Sequence, residues 1–142
     1  MLCPRYAQDI FFIGFLVAVT YSIPGTADMM DDLKHSQEMS KLLLEGKLEE
    51  AADLFSKIED PNMKEISAIT LQGQFLIRGD LTKGESFLEY ILNEDIRQIS
   101  YQSLATQSIV QNKDCPKAKK YIDLLLDSQI QELMNMSYKM AC

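Results

Sequence analysis

Apolar residues in this chain return at helical spacing in seven successive segments, each bounded by residues that start or stop helices. Asp28 is the expected cap of the first, with Asp31 and Asp32 in its early turns, where carboxylates suit the positive end of the helix dipole. Leu33, Ser36, Met39, Ser40 and Leu43 share one face, and Gly46 ends the segment. A second helix runs Leu48 to Ile58 with Leu48, Ala51, Ala52, Phe55 and Ile58 inward. Asp60-Pro61 reads as a cap and first-turn proline for a third. Its main stripe is Ile66, Ile69, Thr70, Gly73, Leu76 and Ile77, and Leu71 and Phe75 make a second apolar edge.

Gly79-Asp80 turns the chain into a fourth helix, where Leu81, Gly84, Leu88, Ile91 and Leu92 face in. Asn93 caps a fifth with Glu94 and Asp95 in its first turn, and its apolar positions are Ile96, Ile99, Leu104, Ile109 and Val110. Asp114 and Pro116 open a sixth, carrying Ala118, Ile122, Leu125 and Leu126. The seventh spans about Ser128 to Met140 through Ile130, Leu133 and Met134, with Gln129, Gln131, Glu132, Asn135 and Lys139 on its polar side. No segment alternates convincingly as a strand. Tyr90-Ile91-Leu92 is a short β-like patch inside a helical pattern.

The segments repeat. Ala51 to Gly84 is 33 positions and Gly84 to Ala118 is 34, and Phe55, Leu88 and Ile122 keep the same two steps. A period of this size marks stacked helical hairpins, none of which buries its apolar face alone. Ala51, Gly84 and Ala118 are then the small residues that let paired helices cross closely. Gly84 costs about 1 kcal/mol relative to Ala inside a helix, and a close crossing gives a reason for bearing that cost. The expected fold is all-α: about three antiparallel helix pairs plus a C-terminal capping helix.

The stretch from Leu42 through Gly46-Lys47-Leu48-Glu49-Glu50-Ala51-Ala52 to Ile58 resembles the turn and second helix of a tetratricopeptide repeat. Leu76 to Leu81 with Gly84, Leu88 and Ile91 resembles another, and Ile109 to Ala118 with Ile122 and Leu125 is a fainter third. The family's tryptophan is absent, and its first-helix glycine is replaced by Met39, Gln72 and Thr106. The resemblance covers roughly residues 28–128. It implies a right-handed stack (an α-solenoid) whose concave face, lined by the first helices, holds a peptide or helix. The family as a whole has no catalytic function.

The amino-terminal segment has a different character. Ile10 to Val19 is a ten-residue apolar run, too short to cross about 30 Å of hydrocarbon. Thr20-Tyr21-Ser22 and Pro24-Gly25 break it, and Gly25-Thr26-Ala27 supplies small residues for a signal peptidase. Residues 1–27 therefore read as an export signal and 28–142 as the repeat domain, placed outside the cytoplasm, periplasmic or secreted. Left uncleaved, the same segment is a membrane tether, and only then is a membrane a partner.

Composition narrows the function. The chain is 46% hydrophobic but only 8% aromatic, which suits an aliphatic helical core better than a β-sandwich. Its net charge of −7 repels phosphate backbones and argues against nucleic acid, while it would favour a basic protein segment. His35 is the sole histidine and has no Cys or second His near it in sequence, so neither a metal nor a catalytic triad is expected. Glu49-Glu50 point different ways on a helix, and Gly79 and Gly84 lack the spacing of a phosphate loop. Lys117, Lys119 and Lys120 form a small basic patch best read as a solvated face. No cofactor is implied, and enzymatic activity is not expected.

Two cysteines remain after the signal, Cys115 at the start of helix six and Cys142 at the terminus. If helix seven returns antiparallel, the two ends meet, and a bridge would close a loop of about 28 residues for about 3 to 4 kcal/mol in the chain-entropy model. Asn135-Met136-Ser137 fits a glycosylation acceptor, in a helical setting that disfavours its use. The methionines near the two ends of the mature chain serve as core filling or as adaptable contacts.

The expected function is groove recognition of another protein, through Lys34, Lys41, Gln72, Gln74, Gln98, Tyr101, Gln102 and Thr106 on faces the core leaves free. Two rivals keep the helices. One is an assembly factor or chaperone tethered by an uncleaved segment, and the other is a closed bundle holding a small apolar ligand.

Overall fold

The structure, a computed structural model, describes residues 27–142. Residues 1–26, and with them nearly all of the expected export signal and Cys3, lie outside that range. The described residues are all-α. The helices are α1 Ala27–Leu44, α2 Leu48–Phe55, α3 Pro61–Ile77, α4 Leu81–Ser86, α5 Glu94–Val110, α6 Cys115–Ile122 and α7 Ser128–Ala141, with a 3₁₀ turn at Leu88–Tyr90. Long helices (α1, α3, α5, α7) thus alternate with short ones.

Local chemistry sets the alternation. Asp60, Asn93 and Asp127, extended residues 33 and 34 positions apart, each accept a hydrogen bond from a backbone N–H in the first turn of a long helix. Asp80 and Asp114 do the same for the short helices α4 and α6, while Lys47 caps α2 without a side-chain bond. Asp28, expected as the first cap, lies one residue inside α1.

Each turn from a long helix to a short one passes through one left-handed residue: Gly46 (φ 76°), Gly79 (φ 80°) and Lys113 (φ 51°). At the first two, an N–H reaches back five residues, Lys47 to Leu42 and Asp80 to Phe75, in the Schellman pattern. At the third the reach is six, Asp114 to Ser108. The extra residue sits in this turn, and it is why the second step of the repeat is 34 and not 33.

Helices pack against their neighbours in sequence, and α1 with α3, α3 with α5 and α5 with α7 as well. The core falls into two clusters. Met39, Leu48, Ala51, Phe55, Leu71, Phe75, Phe87 and Ile91 fill the first. Leu76, Leu81, Leu104, Tyr121, Ile122, Leu125 and Met134 fill the second, and Leu88 touches both.

Several expected inward faces are corrected. Ile66, Ile77, Ile99 and Val110 are exposed, and Leu71, Phe75 and Leu104 lie at the centre of the core with Ser67, Gln72, Ser100 and Ser108 buried beside them. α3 and α5 carry apolar residues on two sides, so periodicity alone does not say which side is covered. α2 stops at Phe55, although Ile58 is fully buried beyond it. The fourth helix breaks after Ser86, whose hydroxyl bonds back to the Lys83 carbonyl and competes with the helical ladder. After the break Phe87, not Leu88, fills the aromatic core against Phe55 and Phe75, and Leu92 turns outward. Leu126, also expected inward, is 74% exposed in the loop before α7.

Candidate interaction face

The small residues expected at crossings are all buried. Ala51 and Ala118 are fully covered, and a Cβ added at Gly84 would lie 2.6 Å from Leu76 Cδ2 and 3.6 Å from the Gln72 carbonyl. Gln72, expected to meet a partner, is instead part of this crossing. Its side chain is buried and donates to the Gly84 carbonyl at 3.2 Å.

Near the start of α1, α3 and α5 a side chain reaches the loop that leads to the next long helix. Asp32 accepts from the Glu59 and Asp60 amides, at 3.1 and 2.6 Å. Glu65 accepts from Leu92 and Asn93, at 2.8 and 2.7 Å. Gln98 accepts from Leu126 at 2.8 Å and donates to the Leu124 carbonyl at 3.3 Å. These three positions are 33 apart, and the ties satisfy N–H groups that would otherwise stand orphaned at helix starts. Their common signal in the sequence is a polar side chain capable of accepting, twenty-seven or twenty-eight residues before its target, which a reading for apolar periods misses. Gln98 is thus committed to a tie, which leaves it little freedom to meet a partner.

At the other end of the hairpins, Arg78 donates to the Gly46 carbonyl (2.9 Å) and Asn112 to the Gly79 carbonyl (3.1 Å). Each donor immediately precedes a left-handed residue and fastens its turn to the previous one.

The remaining expected contacts lie as follows. Lys34, Lys41, Gln102 and Thr106 are exposed, with Lys34 paired to Asp31 at 3.3 Å and the Thr106 hydroxyl bonded to its own helix at Gln102. Gln74 is half-buried, and Tyr101 is half-buried with its ring stacked on Tyr121 at 6.0 Å.

The face these residues border carries a second repeat, of exposed aliphatic side chains. Ile66, Ile99 and Leu133 each stand six residues past the cap of their long helix, and Ile77 and Val110 each stand seventeen past. Leu44 continues that second row on α1, 33 positions before Ile77. All six are exposed, from 41% at Ile66 to 67% at Ile77 and Val110. Between the rows lie small or polar residues: Thr70 and Gly73 on α3, Ser103 and Thr106 on α5. Eleven residues of helix separate the rows by about 16 Å at 1.5 Å per residue, somewhat more than the 10 to 12 Å diameter of a helix with its side chains. Aliphatic side chains are thus exposed at like positions on successive long helices.

Chemistry elsewhere is structural. Cys115 and Cys142 form a disulfide, Cα to Cα 5.9 Å, which fixes the end of α7 to the start of α6. Two lysines of the basic patch are engaged by Glu85, which accepts from Lys117 and Lys120 (2.9 Å each) and from the Tyr121 hydroxyl. Burial raises the Glu85 pKa, but the hydrogen bonds from Tyr121, Lys120 and Lys117 outweigh it and hold the carboxyl down at about 2. Burial, then the hydrogen bond to Glu85, pushes the Tyr121 phenol up. Lys119 pairs with Asp123. His35 is half-buried with Nδ1 unpartnered, and among the described residues no group of three or more His, Cys, Asp or Glu is arranged to hold a metal. Among the same residues no helix is long and apolar enough to cross a membrane.

Compared with protein-family models, with curated proteins and with solved structures, the chain finds no match.

Proposed function

We propose that this chain is an exported, tetratricopeptide-like array of three helix pairs and a closing helix, and that it works by holding another protein against the exposed side of α1, α3, α5 and α7. The carrying observation is the double row Ile66–Ile99–Leu133 and Leu44–Ile77–Val110. Core periodicity alone gives no reason to place exposed aliphatics at matching positions of successive helices. A partner that covers both rows does.

Three further observations support the stack of like hairpins. Left-handed turns recur at Gly46, Gly79 and Lys113, caps recur at Asp60, Asn93 and Asp127, and Asp32, Glu65 and Gln98 tie each unit to the next. Export is supported by the Ile10–Val19 run and by a disulfide, a bond that persists in oxidising compartments.

The test is affinity capture with the natural chain and with a quadruple variant, Ile66→Ser, Ile77→Ser, Ile99→Ser and Val110→Ser. These side chains are exposed, so the fold should tolerate their loss. Partners recovered by the natural chain and lost by the variant support the reading. A folded variant that recovers the same partners equally well refutes it.

A further inference from the structure

We infer that the partner enters with a basic, aliphatic segment, seated where α5 meets the loop into α7. The inference rests on the binding face just proposed and specifies the chemistry of what sits there.

A concavity of about 330 Å³ opens at this junction. Leu125 and Ile130 form its floor, and the exposed Ile99 and Leu126 stand at its sides. Three carboxylates, Glu94, Asp95 and Asp127, line it, and no Lys, Arg or His does. Glu94 accepts from Gln98 at 2.9 Å and has Arg97 at 3.8 Å, Asp127 accepts from the Gln129 and Ile130 amides, and the Asp95 side chain makes no ion pair or hydrogen bond among the described residues.

The preceding junction is an internal control. Shifted by one unit, Ile99, Leu126, Leu125 and Ile130 become Ile66, Leu92, Ile91 and Ile96, so the aliphatic character is kept. The three acids become Pro61, Asn62 and Asn93, all neutral. The lining Gln98 becomes Glu65, which is committed to the Leu92 and Asn93 amides, so this seat carries three carboxylates and the preceding one a single tied carboxylate. The junction one unit further back is acidic as well, with Asp28, Asp32, Glu59 and Asp60 at the corresponding positions, but Glu59 stands there in place of Leu126, so acids and a fully aliphatic lining coincide at the α5–α7 seat alone of the three. A ligand with an aliphatic side chain for the floor and Lys or Arg beside it makes use of both features, and the acids fix which end of the face it occupies.

The test uses the full chain and three synthetic helix-forming peptides with the same leucine stripe, flanked by Lys, by Gln or by Glu. Affinity is read by titration, and position by amide shifts in nitrogen-15 spectra. The Lys-flanked peptide should bind at least about tenfold more tightly than the Gln-flanked one, with shifts centred on Ile99, Gln102, Leu126 and Ile130. Glu94→Gln with Asp95→Asn should shrink that advantage to about threefold or less while leaving the Gln-flanked peptide unaffected. Equal binding of all three peptides on the rows would overturn the basic partner while leaving the face intact. Shifts centred away from both rows would count against the face as well. Absence of any shift up to about 1 mM peptide, a concentration that detects even weak complexes, would overturn this inference, and the face would then stand or fall on the capture experiment.

Discussion

Lys113 holds a left-handed backbone, φ 51°, at the place that Gly79 occupies one unit earlier with φ 80°. The turn demands that conformation wherever it recurs, and at its third occurrence a side chain bears the strain. A left-handed residue with a Cβ costs roughly 1 to 2 kcal/mol.

Lys113→Gly should therefore leave the protein as stable as before or more so, by up to about 1 kcal/mol once the greater freedom of glycine in the unfolded chain is deducted. Urea denaturation measures it, and a clear loss of stability would mean that the turn is not strained.

Gly84→Leu should cost about 1 to 3 kcal/mol or more, because the added side chain must displace Leu76 within a filled core. Gly84→Ala should be milder, since better helix propensity offsets part of the crowding. A leucine variant with an unchanged midpoint would show that α3 and α4 do not cross closely at this residue.

Asp32→Ala removes the acceptor for two amides, those of Glu59 and Asp60, beneath a side chain that is only 4% exposed. Stranding a buried donor costs about 1 to 3 kcal/mol, so a loss in that range is expected from denaturant unfolding. Local hydrogen exchange at Glu59 and Asp60 should quicken together. Unchanged exchange at those amides would contradict the tie.

The Glu85 cluster sets an acid dependence. Its carboxyl titrates at about 2 when folded and near 4.5 when free, so its contribution is complete above pH 4.5 and is lost as pH falls from there towards 2. Glu85→Gln should weaken the protein at pH 7 and narrow its gap from the parent by pH 3. A gap of equal size at both pH values would mean that the cluster does not favour the charged carboxylate.

Much of the fold was legible in the sequence, and the reasons are local. Asp60-Pro61, Asn93 and Asp114 announce helix starts through their own side chains, and Gly46 and Gly79 announce turns that need positive φ. The paired cysteines followed from helix lengths. Rotation of the long helices was not legible: Ile66, Ile77, Ile99 and Val110 look like core residues, and Ser67, Ser100 and Ser108 look like surface ones. Those assignments depend on which neighbours cover each side, a tertiary matter. The break after Ser86 was hidden as well, since Phe87 and Leu88 continue the apolar pattern across it. At the candidate face, the exposure of Lys34, Lys41, Gln102 and Thr106 was anticipated, whereas Ile66, Ile77, Ile99 and Val110 of the aliphatic rows were assigned to apolar inward faces.

Site-specific photocrosslinking in the producing cell reads which side of the fold a partner covers. Probes at Ile66, Ile99 and Val110 stand on the face of the long helices. Probes at the exposed Asp53 and Asp123 stand on or beside the short helices α2 and α6. A common heavier adduct is expected from the first three positions and none from the other two. Adducts arising from Asp53 and Asp123 while Ile66, Ile99 and Val110 stay unlinked would show that partners meet the short helices and not the aliphatic rows.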